Sequence, residues 1–218
     1  MAMNERELTL VFGYIHRMEI KWKDLSIPEP IVLLFALYYI PKAEFDLSMK
    51  SMNMIISGDN NEFVHNNLPN TIGWRSIFGK RVFKGYGKYE WNLEIIEAGD
   101  AVNSWQIMVG IIKNEYCARR KEESAFGNEV SIGLVGSQRG ITEFGIVDSE
   151  YGELFNQVGD TVKMVLDLDE LTLSYTINGT DYGPAITKDK SYNFGINKDT
   201  EYRFALSLIS GRKLRLSD

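Results

Sequence analysis

The stretch 159–186, GDTVKMVLDLDELTLSYTINGTDYGPAI, constrains the fold more than any other part of the chain. TVKMVLDL, rich in Val, Leu and Met and bounded by turn residues, reads as a strand. AspGlu at 169–170 supplies turn chemistry, LTLSYTI returns, and AsnGly at 178–179 is the preferred dipeptide of a two-residue hairpin turn. Three consecutive antiparallel strands follow, and antiparallel strands with one greasy face need a second layer to cover it.

Other segments supply that layer. In GYGKYEWNLEIIE, 85–97, a glycine-punctuated turn leads into Tyr89, Trp91, Leu93 and Ile95 alternating with Lys88, Glu90, Asn92 and Glu94. SWQIMVGII, 104–112, is β-rich and largely apolar, which predicts a strand covered on both faces. VSIGLV at 130–135, YRFALSLI at 202–209 and KLRL at 213–216 add further strands. Aromatics at 12% and 19 glycines agree with many short strands joined by tight turns. The prediction is a two-sheet antiparallel sandwich with Trp91, Trp105 and Tyr175 inside. The Asn-rich stretch from Ser57 to Ile77 yields no element, and 114–128, with its RRKEE charge run, reads as an exposed loop.

Residues 1–42 are different in kind. Leu8, Leu10, Val11, Tyr14, Ile15, Met18 and Trp22 recur at the three-and-four spacing of one helix face. Pro28 and Pro30 open a second helix that ends before Pro41. The expected division is therefore a helical leader, 1–42, and a β domain, 43–218.

Charge and cysteine content narrow the partners. A net charge of -6 with scattered basic residues lacks the positive footprint of a nucleic-acid binder. The longest apolar run, 31–40, is ten residues against the roughly 20 a bilayer-spanning helix needs, so no membrane is expected. One cysteine, Cys117, forms no internal disulfide and no thiolate metal cage, and it points to a reducing, cytoplasmic setting.

With the strands laid out, residues from about 45 onward resemble a SPRY domain. The landmarks are GKYEWNLEI at 87–95, WQIMVGI at 105–111, GDTVKMVLDLD at 159–169 leading into LSYTINGTDYG at 173–183, and YRFALSL at 202–208. The segment before the Gly-Asp, TEFGIVDSEYG, matches only loosely, and the leader lies outside the resemblance. The resemblance implies an all-β, lectin- or glucanase-like jelly-roll sandwich, and the apolar spacing of the leader sets two short α-helices before it. It also implies a module that recognises a protein or peptide partner through edge loops, without catalysis or cofactor. Ubiquitin ligase components are among the partners it implies.

Two site readings compete. Binding energy concentrates in aromatic and arginine anchors, and the loop-like parts contain Trp74, Arg75, Tyr116, Phe126, Arg139 and Tyr151; Trp74 and Phe126 fit equally well as caps of the sandwich core, and Tyr151 as packing for a turn. Arg75 and Arg139, if they converge, suit an acidic peptide. The alternative is a carbohydrate-binding or carbohydrate-hydrolysing sandwich that uses Glu90 and Glu94 on one strand face. Four residues apart on a strand, their Cα atoms stand roughly 13 Å apart. An inverting pair of carboxyls stands about 6.5 to 9.5 Å apart, and the Glu-x-Asp-x-x-Glu spacing of lectin-like hydrolases is absent. Other chemistry has less support. His16 and His65 have no ligand spacing. Cys117, beside Arg119 and Arg120, is a candidate activated thiol with no base assigned to it. Asp167 and Asp169 read as turn residues rather than calcium ligands.

Overall fold

The structure, a computed structural model, describes residues 44–59, 61–67, 73–98, 106–137, 139–143, 146–148, 150–187, 194–209 and 211–217. These belong to the unit Lys42–Asp218, one of two into which the chain divides. The predicted leader helices with His16, and the predicted core position Trp105, lie outside the described residues.

Fourteen strands are described. In chain order they are β1 (Phe45–Lys50), β2 (Met54–Ser57), β3 (Phe63–Asn66), β4 (Arg75–Gly79), β5 (Lys88–Glu97), β6 (Ile107–Lys113) and β7 (Ser131–Val135). There follow β8 (Ile141–Glu143), β9 (Ile146–Asp148), β10 (Thr161–Asp167), β11 (Thr172–Ile177), β12 (Thr180–Ile186), β13 (Tyr202–Leu208) and β14 (Lys213–Ser217). They form two seven-stranded sheets, β1-β4-β13-β6-β7-β8-β9 and β12-β11-β10-β5-β14-β3-β2. Both are antiparallel throughout, which makes the domain the predicted two-sheet sandwich.

The turn chemistry acts as the sequence requires. Asn178 and Gly179 both have positive φ, 49° and 83°, the conformation of a hairpin turn whose twist matches that of its strands. Asp167 Oδ1 accepts from the Asp169 and Glu170 N–H groups, 2.9 and 3.0 Å, and so closes the β10–β11 turn. Three strands arise where sequence reading found none, since 57–77 holds the end of β2, all of β3 and the start of β4. Their apolar positions are too few to show periodicity, and pairing of β3 with β14, β4 with β13 and β2 with β3 makes them strands. His65 is therefore a strand residue rather than a loop residue.

The core between the sheets is aromatic at its centre. Trp91 of β5, 6% exposed, stacks on Phe204 of β13 at 5.3 Å, and Phe83 meets Trp91 edge-on at 4.7 Å. Offset and edge-on geometries suit the ring quadrupole.

A second, smaller core covers the outer face of the β4-β13-β6-β7 sheet. Phe78, Met108, Ile112, Val135 and Ala205 point outward from it and meet Cys117, Ala125, Phe126 and Val130. The segment 114–128 is thus a packed strap, which corrects the exposed-loop expectation. It opens with a 3-10 turn, Asn114–Tyr116, and the one-turn helix α1 (Cys117–Arg120). It is then pinned to the sheet: Ala125 N–H donates to the Ser76 and Ser207 hydroxyls at 2.9 and 3.0 Å, and Ser76 Oγ donates to the Glu123 carbonyl at 2.6 Å. Small residues under the strap let it lie close.

Candidate functional site

Each sandwich end gathers loops. At the end where β4 begins, Arg75 Nη1 donates to the Trp74 and Glu122 carbonyls, 2.7 and 2.9 Å, and Nε faces Glu122 Oε2 at 3.7 Å. The same carboxylate accepts from Ser51 Oγ at 2.7 Å and from the Met52 N–H at 3.2 Å. Arg75 and Glu122 therefore tie the strap to the β1–β2 turn, and the turn holds Met52 out in solvent, 81% exposed. A flexible, polarizable side chain fixed by its backbone is an adaptable contact. Sequence reasoning missed Met52, whose only signal was a methionine between polar turn residues.

The predicted anchors do not form one cluster. Trp74 and Tyr116 pack, half-buried, against the second core, and Phe126 is part of it. Arg139 is exposed in the β7–β8 turn, and its charge bears on the Tyr182 hydroxyl together with the Glu153 carboxylate. Tyr151 is buried, and its ring lies 6.1 Å from both Tyr175 and Tyr182. Its hydroxyl donates to the Gly183 carbonyl at 2.5 Å and accepts from Tyr175 N–H at 3.2 Å. Phe126 and Tyr151 are thus core residues and not surface anchors: each fills a site where leaving would open a cavity. Arg75 and the turn that holds Arg139 lie at the same end of one sheet. Arg75 pairs with Leu208, Leu208 with Ile107, and the Ile107 carbonyl accepts from Gly136 N–H. Three strand spacings, roughly 14 Å, separate Arg75 from Gly136, where that turn begins. Exposed Leu154 and Val158 of the β9–β10 loop add apolar surface at this end.

The acidic strand face differs from a catalytic groove. Glu90 pairs with Lys163 of β10 at 2.7 Å, Glu94 with Arg215 of β14, and Glu97 with Lys213 at 3.3 Å. The acids alternate with cations on the outside of the sheet, while Trp91, Leu93 and Ile95 face inward.

Cys117 is fully buried in the second core, and burial raises its thiol from the ordinary 9.0 to about 12. This overturns the activated-thiol expectation, because desolvation outweighs the nearby arginine charge. Among the described residues, no group of His, Cys, Asp and Glu is arranged to hold a metal ion, and no helix is long and apolar enough to cross a membrane.

No protein-family model and no curated protein matches the sequence. Solved structures do match the fold. The SPRY domain of human HERC1 superposes with a TM-score of 0.60 at 15% identity, over 80% of this chain and 97% of that one. The TRIM65 PSpry domain superposes with a TM-score of 0.56 at 15% identity, over 81% of this chain and 90% of that one. The sandwich has the SPRY fold. The SPRY landmarks at Trp91, Gly110, Asn178–Gly179 and Phe204 occupy core and turn positions, so the likeness resides in the scaffold.

Proposed function

We propose that this SPRY-fold domain is a non-catalytic protein-interaction module that docks a peptide segment of a partner protein at the loop end built on Arg75. In this reading it serves as a scaffold or substrate adaptor. The observation that carries it is Met52, held in solvent by the Glu122 carboxylate that also faces Arg75. An exposed apolar contact beside a braced arginine suits a docked segment, since binding costs less when surface groups are already ordered. Arg139, with Leu154 nearby in sequence to Tyr151, extends the surface for a segment of several residues. Half-buried Trp74, next to Arg75 in the chain, forms part of its wall. Pairing of Glu90 and Glu94 with basic neighbours supports the non-catalytic reading over the carbohydrate one. Ubiquitin ligase components stay among the candidate partners on the family resemblance, and the buried single cysteine fits a cytoplasmic setting.

The test is selection from a random displayed peptide library on the full chain, followed by Kd measurement for the enriched peptides. Arg75→Glu and Met52→Ala are expected to weaken binding about tenfold, the scale of one lost anchor. An enriched set in which no peptide responds to either substitution, or no enrichment at all, would overturn the proposal.

A further inference from the structure

The opposite end of the sandwich carries a surface of different chemistry. The β4–β5 connection reads KRVFKGYGK over 80–88, four cations and no acid in a chain of net charge -6. Phe83 exchanges two backbone hydrogen bonds with Tyr202, both 2.9 Å, and drops its ring into the core. Gly85 N–H donates to the Lys198 carbonyl at 3.0 Å, which locks this loop to the one before β13. Gly85 and Gly87 take φ of 82° and 110°, a left-handed backbone that side chains resist, and so lift Tyr86 between them. Tyr89 Oη donates to the Tyr86 carbonyl at 2.8 Å and fixes that turn.

The cations lie on rings. Arg81 Cζ is 4.9 Å from the Tyr89 ring centroid and 6.0 Å from that of Phe83. It caps an aromatic column that runs from Tyr89 through Phe83 and Trp91 to Phe204. Lys198 Nζ is 4.1 Å from the centroid of Tyr86, which is 53% exposed, and Val82 is exposed beside Arg81. Lys80 and Lys84 pair with Glu44 and Glu201. Among the described residues, Arg81, Lys88 and Lys198 pair with no carboxylate. Ring faces orient Arg81 and Lys198 without neutralising them, so their charge remains available and their ordering cost is already met.

The geometry points to a second docking surface, built on Arg81, Val82, Tyr86 and Lys198, for a short acidic segment of a partner protein with an aliphatic or aromatic side chain beside its carboxylate. The inference rests on the interaction-module reading but uses the other end of the sandwich. Charge complementarity selects the occupant: the carboxylate meets Arg81 and Lys198, and the neighbouring apolar side chain covers Val82 and Tyr86. Asp169, whose Oδ1 accepts from Gly87 N–H, and Asp199, next to Lys198, border the surface. They disfavour a long polyanion such as nucleic acid and leave room for one or two carboxylates.

The same library selection tests it with different variants, Arg81→Glu and Lys198→Glu, beside Arg81→Gln and Lys198→Gln, which keep the apolar stems. Thermal melting verifies that each variant folds. The expected result is a class of enriched peptides bearing Asp or Glu next to an apolar residue. Their affinity should fall about tenfold with either charge reversal, fall with added salt, and be indifferent to Arg75→Glu. If every enriched peptide responds only to Arg75→Glu, this inference fails and the proposed function stands. Peptides that need Arg81 yet carry no acid overturn the acidic occupant. A selection that enriches nothing overturns both.

Discussion

The Tyr175 hydroxyl of one sheet donates to the Val109 carbonyl of the other across 3.2 Å. Tyr175 is fully buried, so this bond satisfies a group that would otherwise be stranded between the layers, and it fixes how the sheets face each other. Tyr175→Phe should cost about 1 to 2 kcal/mol, because it removes one hydrogen bond and leaves a buried carbonyl short of a donor. The shift in denaturation midpoint of the purified domain measures it.

Trp91→Ala removes the ring between Phe83 and Phe204. Loss of a buried tryptophan costs about 3 to 5 kcal/mol, enough to unfold a domain of ordinary stability. Loss of the cooperative thermal transition is the expected readout.

Gly110 lies opposite Gly133 in the β6–β7 ladder. A Cβ on Gly110 would stand 2.0 Å from the Ile132 carbonyl oxygen and 2.5 Å from the Gly133 Cα. Backbone cannot step aside as a side chain can, so Gly110→Ala should cost about 3 kcal/mol or more, or prevent folding. Soluble yield and melting temperature report it.

Glu90→Gln and Glu94→Gln should each change stability by less than about 1 kcal/mol, the worth of a surface ion pair. Neither should alter peptide binding. Appearance of glycan hydrolysis in the unmodified chain, abolished by either change, would reinstate the carbohydrate reading.

Alkaline pH should destabilise the domain. Burial pushes the Cys117 thiol and the Tyr151 hydroxyl up to about 12 from 9.0 and 10.0, and it raises Tyr175 well above the ordinary value. The unfolded chain ionises these groups at their ordinary values, while the folded chain keeps their protons. Stability is therefore whole below about pH 9 and declines as pH rises towards 12. Denaturant midpoints across that range measure the decline. By the same argument, Cys117 should resist alkylation in the folded protein at about pH 8 and react once unfolded.

Wherever a pattern is local, the sequence was enough. Alternation in 88–97 placed Trp91 inside and Glu90 and Glu94 outside, and Asn178–Gly179 announced its hairpin, because side-chain period and turn dihedrals are properties of a few neighbouring residues. The sandwich class followed from the number of such strands. What only the tertiary structure decided depends on residues far apart in the chain. Strands β2 to β4 exist through their ladders, and 114–128 packs because Ser76 and Ser207, from two separate strands, bond Ala125. Phe126 and Tyr151 looked like loop anchors and are core. β4 and the β7–β8 turn bring Arg75 and Arg139 to one end of a sheet, and Met52 is presented by Glu122, seventy residues away. Burial and the direction of a loop are set by long-range contacts, which no local period encodes.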